Sequence, residues 1–344
     1  MKLKDESFFK TIRNFLTLYL PKQKCYSQNT INSYRIALNL FIDYLLKVQH
    51  VPIFHMSFSH LCKINVIGFL DWLQEERKCS SATRNQRLMA LRAFAKYAGF
   101  VDAAQLSIYL ELSNIPTQRT QAQIVEYLSE KALKSLLLQP NINSNLGLRD
   151  RFFMILMYDT AARCQEMLDL KLRDFVLNTK SPYVYITGKG SKTRAVPLMA
   201  RTIKHLNMYI DKFHHTHLGS TDDLLFYTTI HGRRNQMSPD NAAYFMKKYG
   251  QAAKLLYPEV PDRVHPHQLR HTRAIHLYRG GMPLALLSEF LGHVSINTTQ
   301  IYAYADTEMK RNAIKKACQQ PNDIEEKPIW ENDEVVIRRL CGLI

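Results

Sequence analysis

The sequence predicts a mainly α-helical protein, with an N-terminal helical bundle followed by a mostly helical domain that contains a small antiparallel β-sheet. Three observations support this prediction. Apolar residues make up 46% of the 344 positions, enough to build buried cores. Apolar side chains recur at three- and four-residue steps through most of the chain, and one short region has the pattern of a β-hairpin. A chain of this length is also more typical of two domains than of one.

The first domain, predicted over residues 1–115, reads as helices almost throughout. The run TINSYRIALNLFIDYLLKV, which begins at Thr30, places apolar residues along one helical stripe. The run SATRNQRLMALRAFAKYAGF, which begins at Ser81, repeats this pattern, and Ser or Thr precedes both runs as a candidate N-cap. We expect the opposite face of the second run to contact DNA through four basic residues, Arg84, Arg87, Arg92 and Lys96.

A linker is predicted over residues 116–126, where hydrophobic periodicity is lost and Pro116 interrupts the chain. The second domain is predicted over residues 127–320. Its strongest β signal is a pair of β-favouring runs, 183–187 and 193–198, joined by the Gly-rich segment GKGSK. From about residue 200 onwards the pattern is again mostly helical.

The C-terminal tail, residues 321–344, is predicted to be a separate segment that ends in a short amphipathic helix. The polar run between Pro321 and Pro328 breaks the preceding helix. The apolar residues of the last 15 positions can pack either on the tail's own domain or on a neighbouring protein, and both alternatives stay open here.

The net charge of +16 and the pI of about 9.5 indicate a polyanionic partner, for which double-stranded DNA is the leading candidate. The excess is +8 over residues 1–120 and +11 over residues 121–320, whereas residues 321–344 carry a net charge of −3. Both large segments are therefore candidate DNA surfaces. The acidic tail is better suited to a protein contact.

The six cysteines contain no Cys-x-x-Cys pair, which argues against a zinc ribbon and against a disulfide framework. No apolar run approaches the roughly 20 residues that span a bilayer, and the N-terminus lacks the apolar core of a signal peptide. We expect a protein of the reducing cytoplasm without a membrane partner.

Five short motifs in the second domain contain residues suited to phosphate chemistry. Each has an ordinary structural explanation when it is taken alone, such as a helical ion pair, a solvated turn, a helix cap or a core aromatic. In chain order, the residues are Arg163 with Glu166, Lys189, His267 with Arg270, His293, and Tyr302.

In this order, the motifs resemble the tyrosine recombinase family, which includes phage integrases and the Xer recombinases. The strings HQLRHT and LGHxSxxTTQIY, with nine residues from His293 to Tyr302, are the most specific part. SxxTxxxYRxAL, from Ser27, and SATRNQRLMALRAFAKY look like the family's SAM-like core-binding domain. The resemblance implies a site-specific DNA recombinase that cleaves and rejoins DNA through a 3′-phosphotyrosine intermediate.

The chemistry of the residues agrees with the roles that the resemblance implies. In-line attack on a phosphodiester develops negative charge on the nonbridging oxygens, which Arg163 and Arg270 are suited to stabilise. His293 can supply a further hydrogen bond. Tyr302 is the expected nucleophile, and because a phenol has a pKa of ~10, it needs a proton acceptor, for which His267 is the candidate.

The remaining assignments of the site follow from the same resemblance. Lys189, in the hairpin turn, resembles the family's general acid for the leaving 5′-oxygen, and Lys192 in the same turn is the alternative. Glu166 is expected to position Arg163. His271 is expected to be a structural hydrogen-bonding residue rather than a catalytic one.

Tyr304 is a weaker candidate for the nucleophile because, on a helix, it lies about 200° from Tyr302. A covalent phosphotyrosine needs neither ATP nor a metal, and no nucleotide-binding Gly-rich loop is present. The histidines 214, 215 and 217 lack a nearby carboxylate or cysteine motif, so a polar loop is a better interpretation than a metal site. No cofactor is therefore expected.

The resemblance also implies partners. Four copies of the chain would assemble as a homotetramer on two DNA sites, from free monomers or from a dimer on each site, in a nucleoid-associated cytoplasmic complex. A heteromeric recombinase partner or a directionality factor stays open, as does the choice between integration or transposition and resolution of chromosome dimers. A type IB topoisomerase and a DNA-binding accessory factor without catalysis are the competing interpretations.

Overall fold

The computed structural model of the chain describes residues 3–120, 125–188, 192–214, 222–293, 295–304, 311 and 334–343. The chain divides into two compact units, Met1–Gln123 and Ile124–Ile344. This division falls inside the predicted linker. No helix of the described segments is long and apolar enough to cross a membrane.

The first unit is a helical bundle with an aromatic core. The first helix, Glu6–Asn14, continues directly into a π-helical segment, Phe15–Gln23. The core includes the buried rings of Phe15, Phe41, Phe69 and Phe94. As predicted, serines cap the two long helices. Ser27 caps helix Gln28–Lys47 and accepts a hydrogen bond from the Thr30 amide, and Ser80 caps helix Ser81–Val101 and accepts one from the Thr83 amide. The helices are α1 Glu6–Asn14, α2 Gln28–Lys47, α3 Lys63–Glu75, α4 Ser81–Val101 and α5 Leu106–Ser113.

The four basic residues predicted for one exposed face of α4 do not lie on a common face, and this part of the prediction is wrong. Arg84 is four residues before Leu88, on the buried side of the helix, and is only 7% exposed. Arg92 donates hydrogen bonds to the carbonyls of Leu112 (2.8 Å), Ser113 (3.1 Å) and Ile115. Its charge therefore stabilises the C-terminal end of α5, where the helix dipole is negative.

The other two basic residues of α4 are more accessible. Lys96 is exposed and lies over the ring of Tyr109, 5.8 Å from its centroid. Arg87 is half-buried, and its Nη1 atom donates to the Ser33 carbonyl at 3.4 Å. These two residues are the remaining candidates for a charged contact on this helix.

The second unit is also mostly helical. Its helices are α6 Glu130–Leu138, α7 Asn145–Thr160, α8 Cys164–Leu168, α9 Ala200–Phe213, α10 Pro239–Leu256, α11 Pro266–Arg279, α12 Leu284–Leu291, α13 Gln300–Tyr304 and α14 Glu334–Leu340. The strands are β1 Phe175–Val176, β2 Tyr183–Thr187, β3 Thr193–Pro197, β4 Tyr227–Ile230 and β5 Arg233–Gln236.

The predicted hairpin is present as antiparallel strands β2 and β3, paired from Tyr183 opposite Pro197 to Thr187 opposite Thr193. Strand β1 adds to the β2 edge, which gives a three-stranded sheet in the order β1-β2-β3. The prediction of a mostly helical region after residue 200 missed the second hairpin, β4–β5. Its turn, His231-Gly232, has φ angles of +49° and +76°, the left-handed pair that a two-residue hairpin turn requires.

Helix α11 packs against α7, α12 and α13, and this packing brings the C-terminal ends of α7 and α12 together. Both helices end in a left-handed residue, Ala161 after α7 (φ +49°) and Gly292 after α12 (φ +63°). A left-handed residue terminates a helix and redirects the chain. As a result, the residues that follow the two helix ends meet beside α11.

Candidate active site

Arg163 and Glu166 form a closely bonded pair at the start of α8. Arg163 is the N-cap residue, and Glu166 reaches back to accept the Arg163 backbone N–H at 3.0 Å and its Nη1 at 2.6 Å. The side chain of Glu166 is 5% exposed, whereas that of Arg163 is 36% exposed. Burial raises the pKa of Glu166, but the hydrogen bonds from Arg194 and Arg163 outweigh burial and hold it below its usual value. The carboxyl is therefore ionised at neutral pH.

Arg194, on strand β3, is a third member of this cluster, and the sequence analysis did not identify it. Its Nη2 atom donates to Glu166 Oε2 at 2.7 Å, so the carboxylate lies between two guanidinium groups. The Arg194 side chain is only 12% exposed. The alternation of buried and exposed positions along β3 offered a signal, because Arg194 precedes the buried Val196 by two residues and lies on the same face.

Arg270 holds the two helix ends together. Its Nη1 atom donates to the Ala161 carbonyl at 2.6 Å, and its Nη2 atom donates to the Leu291 carbonyl at 2.7 Å. The residue is 2% exposed. Burial, and then the nearby charge of Arg163, lower the pKa of Arg270 to about 10, so the guanidinium stays charged at neutral pH. These bonds use two of its five N–H donors.

His293 follows Gly292 directly and is linked to the segment that carries Tyr302. Its Nδ1 atom lies 2.8 Å from the Oγ1 atom of buried Thr299, and the Thr299 carbonyl accepts the Tyr302 backbone N–H at 3.1 Å. The Nη2 atom of Arg163 donates to the Gly292 carbonyl at 3.4 Å. Thr299 therefore links His293 to the helix that carries Tyr302.

Tyr302 is 1% exposed and packs in a small apolar cluster that also contains Ala161, Ile275 and Leu291. Its hydroxyl lies 2.8 Å from the Nδ1 atom of His271. Burial raises the pKa of Tyr302 to about 12, although the charges of Arg270 and Arg163 act in the opposite direction. The phenol is therefore protonated, and the neutral His271 ring is placed to accept its hydrogen bond.

The sequence analysis named His267 as the candidate proton acceptor for Tyr302 and His271 as a structural hydrogen-bonding residue; in this structure it is His271 that lies at hydrogen-bonding distance from the Tyr302 hydroxyl. His267 is exposed at the start of α11, and its ring packs against the ring of His271 with centroids 4.8 Å apart. His271, one turn further along the same helix face, is the residue at hydrogen-bonding distance from Tyr302. Sequence spacing placed both histidines on one helix face. It could not say which of them lies nearer to Tyr302, which is 31 positions after His271 and 35 after His267.

The three imidazoles of the cluster are neutral at pH 7. Burial is the largest cause that lowers the pKa of His271 to about 4; the neighbouring His267 ring, with which it would compete for a proton, and the Arg270 charge act in the same direction. Burial, followed by Arg270 and Arg163, lowers the pKa of His293 to about 4. Partial desolvation of the His267 ring by its neighbours, followed by the Arg270 charge, also lowers the pKa of His267. A neutral ring can accept or donate one hydrogen bond at each nitrogen, as proton transfer requires.

Several residues of the predicted site fall outside this cluster or outside the described residues. Lys189 is not among the described residues. Lys192 is exposed at the start of β3, where its carbonyl accepts the Gly188 N–H at 2.8 Å. The backbone of Tyr304 ends α13, and its side chain is not described.

The histidine-rich loop is described only at its first residue. His214 is buried against the rings of Tyr209 and Tyr227, and its Nε2 atom lies 3.0 Å from the Leu225 carbonyl. His215 and His217 lie outside the described residues. No group of three or more metal-ligating side chains occurs in the part of the chain that the structure describes.

Together, these residues form a positively charged cluster beside a phenol. Two guanidinium groups, Arg163 and Arg270, converge from separate helices on the region next to Tyr302, with His293 at its edge. Fixed cationic donors around a nucleophile can bind a phosphate and stabilise the charge that develops when it is attacked.

The sequence matches two family models over most of its length. Residues 126–309 match the phage integrase family, and residues 12–99 match the phage integrase N-terminal SAM-like domain. The chain belongs to the phage integrase family. One relative is the tyrosine recombinase XerD of Staphylococcus epidermidis. It is 29% identical to this chain over 300 residues, which cover 87% of this chain and 94% of that protein.

Solved structures of related fold include two DNA complexes. The XerH site-specific recombinase, in its post-cleavage complex with a palindromic difH substrate, has a TM-score of 0.65 and 23% identity over 91% of this chain and 90% of that chain. The lambda integrase tetramer bound to a Holliday junction has a TM-score of 0.62 and 14% identity over 87% of this chain and 78% of that chain. At these sequence identities, the two structures show that this chain shares their fold.

The neutral state of the buried histidines predicts acid sensitivity. In the unfolded chain, the pKa of His271 returns to about 6.5, so between about pH 6.5 and about pH 4 the unfolded state binds more protons than the folded state. Folding stability is therefore fully present above about pH 6.5 and falls as the pH drops towards 4. Replacing His271 with Gln removes part of this dependence, as measured by urea unfolding midpoints across that range.

His231→Asn is the matched control for this measurement. His231 is exposed at the tip of β4–β5, and Asn tolerates its left-handed backbone. This variant should keep the pH dependence of the unmodified protein. A His271→Gln variant with an unchanged slope of stability against pH would contradict the assignment of a buried, neutral ring.

Proposed function

We propose that this member of the phage integrase family is a site-specific DNA recombinase in which Tyr302 attacks a DNA phosphate and forms a 3′-phosphotyrosine bond. The observation that carries this proposal is the convergence of Arg163, Arg270, His293 and Tyr302 from different segments into one cationic cluster. The Tyr302 oxygen forms a bond to phosphorus, and the bond from phosphorus to the 5′-oxygen breaks. The reverse attack by a 5′-hydroxyl rejoins a strand.

The two arginines fit different parts of this task. Arg163 is the more exposed of the two and is positioned by Glu166, which supports direct contact with a nonbridging oxygen. Arg270 is almost fully buried, and its guanidinium is fixed by two carbonyls. A donor that is already fixed costs little reorganisation during the reaction.

We assign proton acceptance from Tyr302 to His271, supported by the distance of 2.8 Å between them, with His267 as the alternative once the site rearranges. A phenol that is 1% exposed cannot reach a DNA strand, so cleavage requires the α13 segment to move away from its apolar cluster. Movement into a more polar environment would also lower the pKa of Tyr302, because burial is the largest cause of its elevation.

We retain Lys189 as the proposed general acid for the leaving 5′-oxygen and Lys192 as its alternative. In the sequence, both residues fall between β2 and β3, and these strands border the Arg163 cluster. The charge of the transition state would be stabilised by the arginines alone. The energy of the phosphodiester bond would be kept in the phosphotyrosine. On this chemistry, the reaction needs neither a metal ion nor ATP.

For DNA binding, the first unit offers Arg87 and Lys96, whereas the contacts of Arg84 and Arg92 are internal. The proposed partner is double-stranded DNA, in keeping with the net charge of +16. The proposed assembly is a homotetramer on two DNA sites, in a nucleoid-associated complex of the cytoplasm. The lambda integrase, a structural neighbour, is described as a tetramer on a Holliday junction.

The tail helix α14 supports such an assembly through its exposed apolar residues. Ile337, Leu340 and Leu343 are 42%, 66% and 71% exposed on this chain. An apolar face of this kind gains stability by packing on another surface. We therefore propose that α14 docks on a neighbouring copy. Integration and dimer resolution would use the same assembly and the same chemistry.

The nucleophile is tested by trapping the covalent intermediate. Nicked or suicide DNA duplexes, prepared from a library of sequences, should form an adduct that survives denaturing electrophoresis, and the adduct should persist in EDTA without ATP. Tyr302→Phe should abolish the adduct, and Tyr304→Phe, the matched control, should retain it. An adduct formed by Tyr302→Phe, or one lost on adding EDTA, would contradict the mechanism.

The DNA-binding assignment is tested by the salt dependence of binding. If Arg87 contacts a phosphate, Arg87→Gln should lower the slope of log affinity against log salt concentration by about 0.9 on any duplex DNA. Arg92→Gln is the control, because it should leave this slope unchanged. It should instead lower the free energy of unfolding by about 1.5–3 kcal/mol, as expected for hydrogen bonds from a charged donor. Equal salt slopes for all three proteins would rule out the Arg87 contact.

The tail assignment is tested by the size of the complex on DNA. Ile337→Asp combined with Leu340→Asp should leave DNA cleavage intact but reduce the assembly from tetramer to smaller species in analytical ultracentrifugation. Arg338→Ala, which removes only an exposed ion pair with Glu334 on the same helix, should have little effect. Unchanged assembly in the double variant would mean that α14 does not mediate it.

A further inference from the structure

We propose that Arg194 is a positioning residue that compensates the charge of Glu166 and thereby leaves the positive charge of Arg163 available to the scissile phosphate. This inference rests on the proposed function. It concerns a residue of β3 that does not need to touch DNA and that acts through Glu166.

The geometry places one carboxylate between two arginines. Glu166 Oε1 accepts the Nη1 atom of Arg163 at 2.6 Å, and Glu166 Oε2 accepts the Nη2 atom of Arg194 at 2.7 Å. The three side chains differ in depth: Glu166 and Arg194 are 5% and 12% exposed, and Arg163 is 36% exposed. The cluster therefore presents Arg163 outwards and keeps Arg194 behind it.

The charges explain why a second arginine is needed. A pair formed by Arg163 and Glu166 alone carries no net charge, and its field at a phosphate would be weak. With Arg194, the cluster carries a net charge of +1, and the accessible member is Arg163. Because opposite charges interact strongly where water is excluded, a buried carboxylate without a second partner would draw the Arg163 guanidinium inwards. Arg194 thus maintains both the charge and the position of Arg163.

Two glycines lie next to the Arg194 guanidinium and leave room for it. A Cβ atom on Gly292 would lie 3.0 Å from Arg194 Nη1, and a Cβ atom on Gly188 would lie 3.7 Å from the same atom. Gly188 immediately precedes Lys189, and Gly292 immediately precedes His293. The Arg194 guanidinium therefore borders the chain segments of both the proposed general acid and His293, in addition to Glu166.

A purely structural role is the alternative, since the same bonds also fasten β3 to α8. The two roles differ in how they respond to the charge of the substrate. A methylphosphonate at the scissile position replaces one nonbridging oxygen with a methyl group and removes its negative charge. If Arg194 acts by preserving the charge of Arg163, its loss should matter on the charged phosphodiester and hardly matter on the neutral substrate. A structural defect would slow both reactions.

The experiment compares single-turnover cleavage rates at saturating DNA, on a site where the unmodified protein forms its covalent adduct. The two DNAs carry either a phosphodiester or a methylphosphonate at the scissile position. Arg194→Gln should slow phosphodiester cleavage by about 10- to 100-fold, the range found when outer-shell partners of metal sites are removed. On the methylphosphonate it should stay within about threefold of the unmodified protein, because no charge there needs compensation.

Two further variants complete the comparison. Arg194→Lys keeps the charge without the forked geometry and should recover most of the loss. If Arg194→Gln fails to fold, as judged by circular dichroism, Arg194→Lys replaces it and should still show a smaller loss that is selective for the phosphodiester. Arg149→Gln is the matched control. Arg149 is likewise buried against a carboxylate, Asp150 at 2.8 Å, and its loss should leave the ratio of the two rates unchanged.

The possible outcomes separate the inference from the proposed function. A loss confined to the phosphodiester supports the inference. An equal loss on both DNAs, or no loss, overturns the inference and leaves the recombinase function in place. Absence of an adduct from the unmodified protein on every DNA tested overturns the proposed function and, with it, the role of Arg194.

Discussion

The second unit depends on one buried guanidinium. Arg270 is 2% exposed and donates to carbonyls at the C-terminal ends of α7 and α12. A buried charge is tolerated only where hydrogen bonds satisfy it, and the ends of helices supply carbonyls with partial negative charge. Arg270 and the two helix ends therefore require each other. Removing the guanidinium would leave two buried carbonyls without this partner, and moving either helix would leave the charge unsatisfied.

Arg163 and His293 lie close to the two helix ends that Arg270 joins. Arg163 follows Ala161 by two residues, and His293 follows the left-handed Gly292 directly. The same interaction that holds α7 to α12 therefore sets the distance between the first arginine and the last histidine of the site. Stability and the geometry of the candidate site are coupled here, because Arg270, one of the proposed anion-binding residues, also joins the two helices.

The candidate site combines an accessible, charged arginine with a buried, protonated tyrosine. Arg163 is charged and accessible, and its carboxylate partner is shared with Arg194. In contrast, Tyr302 is protonated, buried and hydrogen-bonded to a neutral His271. Binding of DNA would have to provide the free energy that moves Tyr302 out of its apolar cluster. In the proposed mechanism, this arrangement would keep Tyr302 unreactive until DNA is bound, because a buried, protonated phenol is a poor nucleophile.

The sequence by itself determined the helical class, the β2–β3 hairpin and the family, and it supplied most residues of the candidate site, because periodicity, turn residues and motif spacing are local properties. Tertiary structure decided what depends on distant segments. It placed Arg84 in a core and Arg92 on the end of α5, it selected His271 rather than His267 as the partner of Tyr302, and it brought Arg194 to Glu166. Helical spacing fixes which face a side chain occupies, but burial and hydrogen bonding depend on the element that packs against that face.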